Sequence, residues 1–215
     1  MWSLQEAGCS RYRFRTAVRS LASRWVRLYH ETYSAPPDNQ WSEVGVPEKW
    51  KEHYFLRIKD LLDRYQPDYM YTDGPIFFGD WGLALMAHHY NRIAKKDGGK
   101  SDAVWATKGK NDCTNGTCVL DLERGVVDRI WEEPWQTDTC IGSWHYDKEV
   151  KYKSPKIVID MLVDIVSRNG NLLLNFPLPS SGMLDPEELK VLAEITKWMA
   201  VNSEAIHATP TASRQ

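Results

Sequence analysis

From residue 41 onward the chain alternates two hydrophobic rhythms, a helical period of about 3.6 residues and a strand period of about 2, and this alternation predicts a repeated strand-helix architecture. Trp50, Tyr54, Phe55, Ile58, Leu61 and Leu62 fall on one stripe and predict an amphipathic helix over Glu48 to Tyr65. Pro67 forbids its continuation, the aromatic residues at 69 and 71 favour a pleated strand, and Gly74-Pro75 ends that strand in a turn. The strand therefore delivers one carboxylate, Asp73, to its C-terminal tip.

The same punctuation repeats downstream. Trp81 to Lys96 reads as a helix closed by Asp97-Gly98-Gly99, and Ala103 to Thr107 as a short apolar strand before a Gly/Asn-rich loop. Cys118 to Leu122 alternates into a strand ending at Glu123, and Trp135 to Ile141 into a polar-alternating one. Lys156 to Arg168 is an amphipathic helix stopped at Asn169-Gly170, and Asn171 to Phe176 is a continuous apolar run of the fully buried kind. Asp185-Pro186-Glu187-Glu188 supplies an N-cap, a proline at the first helical position and acids in the first turn of a helix reaching about Val201. Strands in this order with helical crossovers imply a parallel sheet.

Residues 1–40 keep neither rhythm for long. In the first thirty residues Arg11, Arg13, Arg15, Arg19, Arg24 and Arg27 stand against the single acid Glu6, so the net charge of −2 hides an acidic remainder. A cleavable Arg-rich transit segment, an irregular native lead-in and sequence foreign to the ancestral protein all fit; the last is the expectation, because orderly patterning begins just after Ser34-Ala35-Pro36-Pro37. The predicted division is an atypical lead-in over 1–40, a repeated strand-helix part over 41–209 and a tail over 210–215.

With 215 residues, 42% of them hydrophobic and 26% charged, the chain has the balance of a globular domain rather than a disordered one. It has no apolar run of membrane-spanning length and no apolar core of a secretory signal at its N-terminus. Cys9, Cys113, Cys118 and Cys140 are too few for a disulfide scaffold and lack zinc-site spacing. Cys113 and Cys118 are spaced to bridge a loop in an oxidising compartment, but free thiols are the expected state. His88 and His89 diverge by about 100° on a helix and read as surface or packing residues rather than a metal pair. Asn115-Gly116-Thr117 is a glycosylation sequon.

Tryptophan is the compositional outlier, with ten copies, six of them between Trp81 and Trp198. Such rings line sugar clefts, where their faces stack on pyranose C–H groups, although packing is the commoner role of any single one. A retaining glycosidase needs two carboxyl groups about 5 to 5.5 Å apart, one a nucleophile and one an acid/base. Asp73 and Glu123, at two predicted strand tips, have the placement for such a pair.

Four segments carry a family resemblance. Tyr65-Gln66-Pro67-Asp68 through Thr72-Asp73-Gly74, Pro134-Trp135-Gln136-Thr137-Asp138, Gly142-Ser143-Trp144-His145-Tyr146 and Leu162 through Asn175 resemble the α-L-fucosidases of glycoside hydrolase family 29, and the likeness continues through Asn202-Ser203-Glu204-Ala205-Ile206. The resemblance implies an α/β fold, a TIM-type (β/α)8-like barrel, and release of terminal α-L-fucose with retention through a covalent fucosyl-enzyme. Asp73 matches the nucleophile and Glu123 the acid/base, with Glu132 and Glu133 as alternatives. Tyr71, Trp135 and Trp144 match ring positions against the sugar, Trp144 at its C5 methyl. Asp164 and Asn175 look structural.

The partner implied is a fucosylated oligosaccharide or glycoconjugate, without cofactor, metal or nucleic acid; a homo-oligomer is left open. The compartment suggested is periplasmic, secreted or lysosomal. The family's early strands and their His-containing sugar motifs have no match here, so the barrel is expected to be partial. Two other classes compete: a non-catalytic fragment binding fucosylated glycans weakly, and attachment to nucleic acid or membrane through the Arg-rich lead-in, which predicts salt-sensitive binding.

Overall fold

The computed structural model describes residues 45–96, 98–99, 101–113 and 116–207. The lead-in over 1–40, the sequon's Asn115 and the tail over 210–215 lie outside the described residues. The chain divides into two compact units, one ending at Cys118 and the other beginning at Val119.

In the first unit, helix α1 (Glu48–Tyr65) spans the predicted range and ends where Gln66 takes a left-handed conformation, φ 45°, its N–H donated to the Leu62 carbonyl. Strand β1 (Tyr69–Thr72), helix α2 (Asp80–Lys96) and strand β2 (Val104–Thr107) follow. β1 and β2 pair in parallel, Tyr69 opposite Val104 and Thr72 opposite Thr107. Met70 enters a core with Ile58, Leu61, Leu62, Leu85, Met86 and Trp105, so the helical stripe and one strand face close on each other. Each such side chain contributes about 1.5–3 kcal/mol when fully buried. Gly82 packs α2 against the loop after β1: a Cβ there would collide with the Phe77 carbonyl oxygen.

In the second unit, β3 (Val119–Asp121), β4 (Trp135–Cys140) and β5 (Gly170–Asn175) run parallel in that order, with α3 (Pro155–Ser167) between β4 and β5 and α4 (Pro186–His207) after them. Ser154 caps α3 by accepting the Ile157 N–H. The start of α4 is a reciprocal cap: the Asp185 carboxylate accepts the N–H groups of Glu187 and Glu188, and the Glu188 carboxylate accepts that of Asp185 at 2.8 Å.

Two strands differ from expectation. β4, predicted as a polar-alternating strand, is buried at every residue, because it pairs on both edges and both faces are covered. Trp135 packs with Val127 and Ile165 on the helical side, while Gln136 bonds Asp121 and Asn171 on the other. β5, read as fully buried, is only half-buried; it pairs with β4 along one edge. Cys113 and Cys118, expected as thiols, form a disulfide with their Cα atoms 4.6 Å apart, and Cys140 is a buried thiol.

Candidate active site

In the first unit the candidate residues stand on and just after β1 and β2. Alternation along β1 turns Met70 and Thr72 into the core and leaves Tyr69 and Tyr71 half-buried on the opposite face, their rings stacked 6.5 Å apart. Trp105 locks the core side by donating its indole N–H to Thr72 Oγ1 at 2.8 Å. Asp73 follows directly, before a Gly74 whose φ of 146° belongs to glycine. The Asp73 carboxylate, about two-fifths exposed, meets the Lys108 ammonium at 2.8 Å. Lys108 stands just past the C-terminal end of β2, so both charges lie at the strand end where barrel enzymes carry their chemistry.

In the second unit Glu123 is exposed just beyond the C-terminal end of β3. Glu132 and Glu133 are also exposed, but they precede the N-terminal end of the parallel strand β4. The three candidate acids therefore divide between opposite ends of the β3–β4 pair. Next to Glu123, Arg124 has a φ of 51°, donates its N–H to the Asp138 carbonyl at 2.9 Å, and lays its guanidinium 5.0 Å from the Trp144 ring centroid. Its terminal nitrogen also reaches Cys140 Sγ at 3.4 Å. Trp144 is half-buried, its carbonyl taking the Asn175 amide at 3.4 Å, so Asn175 holds loop backbone as expected of a structural residue.

Trp135 belongs elsewhere. It is fully buried, its indole N–H donated to the Arg168 carbonyl at 2.9 Å, and Gly170 fits against its ring so closely that a Cβ would lie 2.6 Å away. Its place is the core on the helical side of β4, which leaves no face for a sugar. Asp164 pairs with Arg168 at 2.8 Å along α3.

Beneath the Glu123 end of β3 lies a buried polar layer with no signal in the local sequence. Asp121 accepts the side-chain amide of Gln136 and the N–H of Asp138, and Gln136 accepts from Asn171 at 3.2 Å. Burial pushes the Asp121 carboxyl up to about 7; the Gln136 donor resists, and the neighbouring Asp138 adds to the rise. His88 and His89 separate as the helical period requires: His88 meets Asp63 at 2.6 Å near the surface, while His89 is buried edge-on to Trp105. Among the described residues no three His, Cys, Asp or Glu side chains gather as a metal site, and no helix is long and apolar enough to cross a membrane.

Parallel strands with helices between β1 and β2 and between β4 and β5 are the architecture of part of a (β/α)8-type barrel. A family model described as Alpha-L-fucosidase matches residues 13–204, and the chain belongs to the α-L-fucosidase family. It is 29% identical over 175 residues to tissue α-L-fucosidase of Bos taurus, which covers 74% of this chain and 37% of that one. It is 26% identical over 196 residues to an α-L-fucosidase of Branchiostoma floridae, covering 84% and 41%. Among solved structures, the α-fucosidase of Thermotoga maritima in complex with fucose superposes with a TM-score of 0.64 at 19% identity, over 83% of this chain and 40% of that one. A trapped covalent intermediate of the Bacteroides thetaiotaomicron GH29 enzyme gives 0.58 at 23%, over 74% and 41%. The chain thus spans about two-fifths of the length of these relatives.

Proposed function

We propose that the chain is the part of a retaining α-L-fucosidase that carries both catalytic carboxyl groups, acting on the terminal α-L-fucose of a glycan. Asp73 attacks the anomeric carbon and Glu123 protonates the leaving oxygen. Glu123 then takes a proton from the water that hydrolyses the fucosyl ester. The observation carrying this reading is the Asp73–Lys108 pair at 2.8 Å, which aims an accessible carboxylate at the C-terminal end of β1. Forming the ester consumes the carboxylate's charge, and its regeneration beside the ammonium favours release of the sugar.

Three further points support the assignment. Within its own unit Glu123 stands at the C-terminal end of a strand, whereas Glu132 and Glu133 precede the N-terminal end of one, which favours Glu123 over them as acid/base. Tyr71, on the half-buried face of β1, and Trp144, held under Arg124, are the rings best placed to pack against a sugar. A relative has been trapped as a covalent intermediate with 2-fluoro-fucosyl fluoride, the chemistry expected of a retaining enzyme.

Hydrolysis of 4-nitrophenyl α-L-fucoside by the purified chain tests the reading. Replacing Asp73 by Ala should lower turnover by roughly 10³-fold or more, because no other group forms the covalent intermediate. Turnover that survives the substitution overturns the assignment. A folded chain that binds fucose without turnover would instead support the glycan-binding reading.

A further inference from the structure

We infer that Asp112, anchored by the Cys113–Cys118 disulfide, is a positioning residue that fixes the direction of the Asp73 carboxylate. The inference rests on the reading of Asp73 as nucleophile and adds a residue that touches neither sugar nor reacting atom. Its basis is a set of bonds joining the loop after β1 to the loop after β2. Asp112 Oδ2 accepts the Ile76 N–H at 2.7 Å, across 36 residues of sequence. Gly74, the residue after Asp73, has its carbonyl taken twice, by Thr107 Oγ1 at 2.8 Å and by the Lys108 N–H at 2.9 Å.

Those contacts bracket Asp73 from both directions. On one side its backbone leads into Gly74 and Ile76, both tied to the second loop; on the other its carboxylate meets Lys108 of that same loop. Asp112 closes the bracket. Its Oδ2 also lies 3.1 Å from Thr107 Oγ1, and it nests so tightly on Gly109 that a Cβ there would collide with the carboxylate. A side chain at 109 would expel the carboxylate from its place.

Asp112 needs an anchor of its own, since a residue in a surface loop imposes no geometry unless the loop is held. The N–H of Asp112 goes to the Gly109 carbonyl at 3.1 Å, and its carbonyl takes the Thr117 hydroxyl at 2.8 Å. The Tyr90 hydroxyl of α2 holds the Thr117 carbonyl at 2.9 Å. The disulfide joins the next residue, Cys113, to Cys118, which packs against the core of the first unit. Rigidity passes from the core through Cys118 and Cys113 to Asp112, and from Asp112 to Ile76 and the nucleophile.

The test compares the chain with its Asp112→Ala and Asp112→Asn variants and with the wild type reduced by a phosphine. Two readouts are taken on each: amide hydrogen exchange at Ile76, and the rate of covalent labelling by 2-fluoro-fucosyl fluoride followed by intact mass. Ile76 exchange should accelerate in Asp112→Ala and on reduction, with exchange in α1 unchanged. Labelling should slow by roughly 10²-fold, the scale of a 1 Å misplacement, while Asp112→Asn, which keeps an acceptor, recovers most of the rate. Ile76 exchange that stays at the wild-type rate in Asp112→Ala overturns the inference, as does unchanged labelling. Where the wild type does not label, the nucleophile assignment fails, and exchange at Ile76 alone decides whether the clamp exists.

Discussion

His89 gives the sharpest quantitative prediction, because it is a fully buried imidazole whose two ring nitrogens find no hydrogen bond of good geometry. Burial, aided by the nearby Arg92 charge, lowers its pKa from 6.5 to about 4, and backbone groups of Val104 and Asp68 lie near enough to oppose the fall. The folded state therefore holds the neutral ring while the unfolded chain takes up a proton. Stability from this group is intact above pH 6.5 and is lost as pH falls toward 4. The loss amounts to about 3 kcal/mol by pH 4, at about 1.36 kcal/mol for each pH unit separating the two values.

Replacing His89 by Leu keeps an apolar side chain of similar volume and removes the titration. The wild-type curve alone is a poor test, because Asp121 works in the opposite sense. Its raised pKa makes the folded state hold a proton between 3.8 and about 7, so its contribution is present at low pH and lost as pH rises. The quantity to measure is the difference in unfolding free energy between the two proteins, from urea titrations followed by circular dichroism at pH 4 to 8. The variant should gain about 3 kcal/mol on the wild type between pH 7 and pH 4. Parallel curves would refute the reasoning and mean that His89 finds a partner or water in the folded state.

Two further predictions concern the second unit. Gly170→Ala places a Cβ 2.6 Å from the Trp135 ring and 2.8 Å from Ile165 Cγ2, so thermal unfolding should show a loss of about 1–3 kcal/mol; an unchanged midpoint would mean that Trp135 is not packed as described. Asp185→Ala removes the acceptor for the Glu187 and Glu188 N–H groups and for the Tyr152 hydroxyl at 2.9 Å. It should cost about 0.5–2 kcal/mol in urea unfolding, whereas Asp185→Asn, still a good cap, should lose less.

Much of this protein was legible in its sequence, because the features concerned are local. The stripe from Trp50 to Leu62, the breaker Pro67, the paired tyrosines and Gly74 fix α1, β1 and the strand-end position of Asp73 from short-range sterics and periodicity. The helical period alone separates His88 from His89, and the Asp185-Pro186 start of α4 follows from backbone groups that any helix leaves unsatisfied. Tertiary structure decided what depends on neighbours far along the chain. Trp135 to Ile141 reads as a polar-alternating strand, yet β3, β5 and the side chains on both faces bury all six residues of β4 and turn Trp135 into core. Lys108 was visible as a charge just past a predicted strand; its pairing with Asp73 was not, and neither was the reach of Asp112 to Ile76. Periodicity determines which face a residue takes, but which distant group meets it there, and at what distance, is set only when packing brings the strand ends together.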